Sequence, residues 1–125
     1  MSLSDYAENE IADWIAGNGA PGAVGTCYVQ LHTGDPGELG TATVSAETTR
    51  VSATFGAATG GVATSNADVT WASWSAGSET ITHVSFWDAS AAGNCLGSGS
   101  NTGNQSVADG NDFTIPSGSL TITLT

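Results

Sequence analysis

The sequence predicts an all-β protein, an antiparallel, jelly-roll-like β-sandwich carrying one N-terminal α-helix. Three observations point there. Apolar residues alternate with Ser and Thr in short runs, the period of a strand with one buried face. Turn signals rich in Gly, Asn and Asp separate those runs. A single segment, at the start, has the three-and-four spacing of a helix.

Ser2 to Ala16 is the predicted helix. Ser2 or Ser4 can cap it, and Asp5 and Glu8 place negative charge where the helix dipole is positive. Leu3, Ala7, Ile11, Trp14 and Ile15 form one apolar stripe, and Gly17-Asn18-Gly19 supplies the stop. A helix this short is marginal alone, so the stripe must dock on its own sheet or on a neighbouring subunit. Leu3, Ile11, Trp14 and Ile15 are therefore the candidate assembly interface.

After Pro21-Gly22 the pattern becomes period two. In the first strand Cys27, Val29 and Leu31 face one way, and Thr26, Gln30 and His32 the other. Asp35-Pro36-Gly37 signals a turn within an exposed loop from Gly34 to Glu47. Arg50 to Phe55 alternates again, with Val51, Ala53 and Phe55 inward. Gly60-Gly61 precedes a strand pair, Val62 to Thr64 and Asp68 to Trp71. Thr80 to Asp88 is the strongest strand. Thr82, Val84 and Phe86 line one face, Ile81, His83, Ser85 and Trp87 the other, so both faces are covered. Cys95 to Ser98 returns, a Gly/Asn/Ser loop spans Gly99 to Gln105, and the strands at Phe113 to Ile115 and Leu120 to Leu124 close the chain. No repeat or second domain is visible: residues 1–125 form one domain, with the helix in 1–17 and the sandwich in 24–125.

Composition excludes several functions. Twelve acidic residues face one arginine, Arg50, and no lysine, for a formal charge of -11. That field repels phosphate backbones, so no nucleic-acid partner is expected. Lysine chemistry is absent too: no P-loop lysine, Schiff base or Ser-Lys dyad. No apolar stretch reaches a membrane span and no signal core is seen, so no membrane partner is expected. Cys27 and Cys95 both sit in apolar runs, read as small buried hydrophobes with a Cys27–Cys95 disulfide as the alternative.

Candidate sites for chemistry are few. Gly93-Asn94-Cys95-Leu96-Gly97 has the form of a nucleophile elbow, but Ser98-Gly99-Ser100-Asn101 cannot supply the helix an elbow requires. His32 and His83 lack the ligand spacing of a zinc site. Asp109, Asn111 and Asp112 around Gly110 are the weak metal candidates, as calcium ligands, against ordinary turn chemistry. Trp74 and Asn101 are the candidate glycan contacts, against a core or interface role for the tryptophans. No catalytic residue and no cofactor is expected.

Four stretches carry a resemblance. Met1-Ser2-Leu3-Ser4-Asp5-Tyr6-Ala7-Glu8-Asn9 opens the chain, and Tyr28-Val29-Gln30-Leu31-His32-Thr33-Gly34-Asp35-Pro36-Gly37 follows. Thr82-His83-Val84-Ser85-Phe86-Trp87-Asp88-Ala89 with Gly93-Asn94-Cys95-Leu96 comes next, and Ile115-Pro116-Ser117-Gly118-Ser119-Leu120-Thr121-Ile122 ends it. In that order they resemble a family of small tailed-phage virion proteins, commonly labelled tail fibre or minor tail proteins, some of them head decoration or turret components. The resemblance implies a non-enzymatic virion structural protein of a bacterial or archaeal virus, made in the host cytoplasm. Its partners would be major capsid or tail proteins and copies of itself in a homo-oligomer. The acidic surface suits the exterior of the capsid or tail, since packaged DNA would repel it. A host-glycan-binding, lectin-like module of a tail tip is the alternative. The missing Lys and the two Cys depart from the family pattern and bear on environment rather than fold.

Overall fold

A computed structural model describes residues 1–100 and 105–124. Its elements are β1 (Ser2–Leu3), α1 (Asp5–Ile15), β2 (Cys27–His32), β3 (Val51–Ala53) and β4 (Val62–Thr64), then β5 (Val69–Trp71), β6 (Glu79–Trp87), β7 (Cys95–Val107), β8 (Phe113–Ile115) and β9 (Thr121–Thr123). The protein is mostly β with a single short helix. A five-stranded antiparallel sheet runs β1-β7-β6-β2-β3, and two two-stranded ladders, β4–β9 and β5–β8, complete the pairing. The segments expected as one strand pair are thus split: β4 pairs with β9 and β5 with β8. Local spacing shows that a strand exists but not which distant strand completes its hydrogen bonds.

The main core lies between the large sheet and the ladders. Val29 pairs with Phe86 and Leu31 with Val84, setting large side chains opposite each other on one face. They pack with Val69 and Trp71 of β5 and with Phe113 and Ile115 of β8. Phe113 is the aromatic hub, with ring centroids 5.9 Å from Trp71 and 6.1 Å from Trp74. Both indoles are satisfied: Nε1 of Trp71 donates to the Thr49 carbonyl at 2.8 Å, and that of Trp74 to Gly77 at 2.7 Å.

Strict alternation fails once, at Ile81. It is fully buried in the same core as Val84 and Phe86, not on the opposite face. The β6–β7 register shifts between Ile81 and His83, and such an irregularity turns the following side chains over. The segment expected as a Gly/Asn/Ser loop is also strand at its ends, with Gly99 opposite Val84 and Gln105 opposite Ile81.

The sheet's other face is covered by residues 33–46, within the expected loop from Gly34 to Glu47, most of which is exposed as expected. Pro36 and Ser45 are buried within it, and its backbone lies on Trp87 and Cys95 at Gly40. There φ is +67°, and a Cβ would stand 2.6 Å from Cys95 Sγ, so only glycine fits. His32, assigned from alternation to a face away from the core, is fully buried under this cover. The turn signals are local and correct in kind, while burial of Pro36, Gly40 and Ser45 depends on what the loop folds over.

Candidate assembly surface

Ser4 fixes the helix to the sheet. Its Oγ caps α1 by accepting from the Ala7 amide at 3.2 Å and donates to the Cys95 carbonyl. Its own amide donates to the Leu96 carbonyl at 3.2 Å. The helix consequently begins at Asp5, and Leu3, expected on the helical stripe, belongs to β1 opposite Gly97. A Cβ on Gly97 would meet the Ser2 carbonyl at 2.7 Å, so this glycine lets the N-terminal strand close on the edge.

The stripe is only half used within the chain. No residue of α1 is buried, and Trp14 and Ile15 are 59% and 77% exposed. Leu3 and Ile11 instead line an apolar groove of about 280 Å³ between α1, the segment 21–24 and the sheet. Tyr6, Val24, Phe86 and Leu96 line it too, with Glu10 and Asp88 as its carboxylates. The four candidate interface residues therefore do not form one helical face: Leu3 and Ile11 line the groove, and Trp14 and Ile15 lie exposed outside its lining. Sequence reasoning missed Tyr6, Glu10 and Val24. The signal available was Val24 stranded, without alternation partners, between Pro21-Gly22 and β2.

The other candidates fall into structural roles. Trp74 is 1% exposed, a core side chain with no face for a sugar, which corrects its assignment as a glycan contact. Asn101 lies outside the described residues. Asp109 Oδ1 accepts from the Gly77 amide at 2.8 Å and Asp112 Oδ1 from the Ser73 amide at 2.9 Å. Asn111 offers its backbone carbonyl to the Trp74 amide at 2.9 Å. These contacts make Asp109, Asn111 and Asp112 a clamp on the Trp74 turn. Among the described residues no three His, Cys, Asp or Glu side chains converge as metal ligands.

Cys95 opens β7 opposite Trp87, in a strand rather than an elbow. Cys27 and Cys95 are free thiols. Burial pushes Cys27 up to about 11 and raises Cys95 as well, so both stay protonated at neutral pH.

Beneath the 33–46 cover runs a polar chain. Trp87 Nε1 donates to Ser85 Oγ at 2.8 Å, and Ser85 Oγ lies 2.7 Å from His32 Nε2. His32 Nδ1 is 2.8 Å from the Ala42 carbonyl, which can only accept. Nδ1 therefore carries the proton and neutral Nε2 accepts from the Ser85 hydroxyl. Burial, the largest influence, lowers the His32 pKa from the ordinary 6.5, opposed by the Ala42 bond and aided by the charge of His83. The unfolded chain thus takes up this proton at higher pH than the folded one, so stability is lost as pH falls below about 6.5. The thermal midpoint should fall between about pH 7 and pH 5, and His32→Gln should flatten that slope. An equal slope in wild type and His32→Gln would show that His32 is not its source. Asp88, held below its ordinary value by Asn94, contributes its own loss only in the carboxylate range below about pH 4.

With this geometry in place, the comparison with known families is decisive. Residues 2–123 match the family model described as podophage GP4 fiber I protein gp80. The chain belongs to this family. The match spans the helix and every strand of the fold. Membership in a podophage fibre family makes this a phage virion protein whose contacts are with other virion components. No curated protein matches the chain.

Proposed function

We propose that the chain is a non-enzymatic structural subunit of a tail fibre, on the exterior of the virion, acting through burial of the surface built on α1. The fibre family supports this location over a head decoration or turret. The observation that carries the reading is the uncovered stripe: Trp14 and Ile15 project from a helix that buries none of its own residues. Large exposed aromatics on a rigid element are what an interface anchors on. Subunits made in the host cytoplasm would cover this surface during assembly, and copies would pack into a homo-oligomer. The glycan-binding alternative loses its aromatic platform, because Trp74 is enclosed.

Trp14→Asp tests the reading. The side chain is 59% exposed, so the thermal midpoint should stay within about 3 °C of wild type. Incorporation into virions should fall at least about tenfold, as for loss of an aromatic anchor. A folded Trp14→Asp chain incorporated at the wild-type level would refute the role given to α1.

A further inference from the structure

Within the fibre-subunit reading, the charge around the α1 groove identifies the kind of partner it takes. Glu10 and Asp88 line an otherwise apolar groove, and Asp5, Glu8 and Asp13 add to the charge of the same helix, whose last turn has no basic residue. Asp88 is held ionised by the Asn94 amide at 2.7 Å and the Asn94 side chain at 2.9 Å. Apart from the chain's own amino terminus, the side chain that answers any of this charge is Arg50, which acts on Asp88 and leaves Glu10 and the other α1 carboxylates without a basic neighbour among the described residues. Arg50 is the sole Lys or Arg. Its Nη1 donates to the Ala89 and Ala92 carbonyls at 2.9 and 2.7 Å, and its guanidinium sits 3.7 Å over the Trp87 ring. His32 is buried, and His83 Nδ1 is bonded to Thr82 Oγ1 at 2.8 Å.

A second copy docked here would therefore bring carboxylates against carboxylates with no free side-chain cation, an arrangement that like charges disfavour. We propose that the α1 groove binds a segment of a different virion protein, one that places apolar side chains in the groove and Lys or Arg against Glu10 and the neighbouring α1 carboxylates. Copies of this chain meet each other through other surfaces. The apolar anchors supply the affinity, and the cations supply register and rate of encounter.

Two measurements test this. Purified wild-type chain is titrated onto particles of its own virus assembled without it, at about 50 mM and about 500 mM NaCl, where exposed ion pairs are respectively weakly and strongly screened. Uptake affinity should fall about tenfold over that range. Glu10→Gln with Asp13→Asn should weaken uptake about threefold at low salt and flatten the salt dependence. The Gln side chain can still accept from the Gly22 amide, as Glu10 does at 3.4 Å, so the local fold is kept. In the second measurement, sedimentation of the free protein should give the same oligomeric state for wild type and Trp14→Asp. Uptake indifferent to salt and to the double substitution would overturn the proposal while leaving the fibre-subunit reading intact. So would an oligomer that Trp14→Asp dissociates, since a second copy would then be the occupant. No wild-type uptake at either salt would overturn the fibre-subunit reading and this proposal with it.

Discussion

Trp74→Ala should destabilise the protein by about 3–5 kcal/mol, the range for removing a large aromatic from a packed core. That is a large share of the roughly 5–15 kcal/mol typical of a folded domain. The indole is 1% exposed and lies against Phe113, whose ring also meets Trp71. Its removal opens a cavity beside Phe113 and leaves the Gly77 carbonyl without the Nε1–H donor it has at 2.7 Å. The surrounding turn cannot easily collapse into the space. It is pinned through both backbone groups of Trp74, to Asn111 and Gly110, and through the carboxylates of Asp109 and Asp112. Trp74→Phe keeps most of the volume but loses the hydrogen bond, so it should cost less, about 1–3 kcal/mol. Urea unfolding of the three proteins measures this. A Trp74→Ala unfolding free energy within about 1 kcal/mol of wild type would place Trp74 outside the core. Loss of host adsorption in this variant would report unfolding, not a lost sugar contact.

What could be read from the sequence was what depends on near neighbours. The single helix, its cap at Ser4 and its stop at Gly17 are local events, and each sits within a residue or two of its expected place. The strands at Cys27–His32, Val51–Ala53 and Glu79–Trp87 follow from alternation over a few residues. The errors share a different cause. Pairing of β4 with β9 joins Ala63 to Ile122 across nearly half of the chain, and no local pattern encodes that. Ile81 changed face because a register shift in β6–β7 broke the period on which its assignment rested. Between a glycan contact and a core role for Trp74 local spacing could not decide, because the clamp that encloses it comes from Asp109 to Asp112.

The candidate surface was legible in part for the same reason. Ile11, Trp14 and Ile15 mark a stripe by spacing alone, and the spacing correctly shows a helix with an apolar side. It could not show that Leu3 would leave the helix for a strand, or that Val24 and Leu96 would join Ile11 around one groove. The charge was legible at once, but its meaning was not. An acidic composition says only that nucleic acid is repelled. That the one arginine is occupied at Trp87 and the Ala89–Ala92 turn beside Asp88, leaving Glu10 unanswered at the groove, needs the fold.

Gly40→Ala should destabilise by about 2–4 kcal/mol through two separable causes, overpacking and a left-handed backbone. At φ +67° an L side chain is strained wherever it points, at a cost of about 1–2 kcal/mol. The added Cβ would also stand 2.6 Å from Cys95 Sγ and 3.0 Å from Trp87 Cζ2. Neither neighbour can give way freely. Cys95 is strand-bound opposite Trp87, and Trp87 is held by Nε1 on Ser85 and by Arg50 on its ring. The cover must therefore lift, and lifting it would also pull the Ala42 carbonyl from His32. Combining Gly40→Ala with Cys95→Ala removes the closest contact, so the pair should recover about 1–2 kcal/mol relative to the sum of the single changes. The backbone strain should remain in the double variant. Additive single effects in a double-mutant cycle, measured by urea unfolding, would mean that the cover does not rest on Cys95. Coupling of the expected size would show that a glycine inside a turn-rich run, where one more glycine draws no notice, is what lets the sheet's second face close.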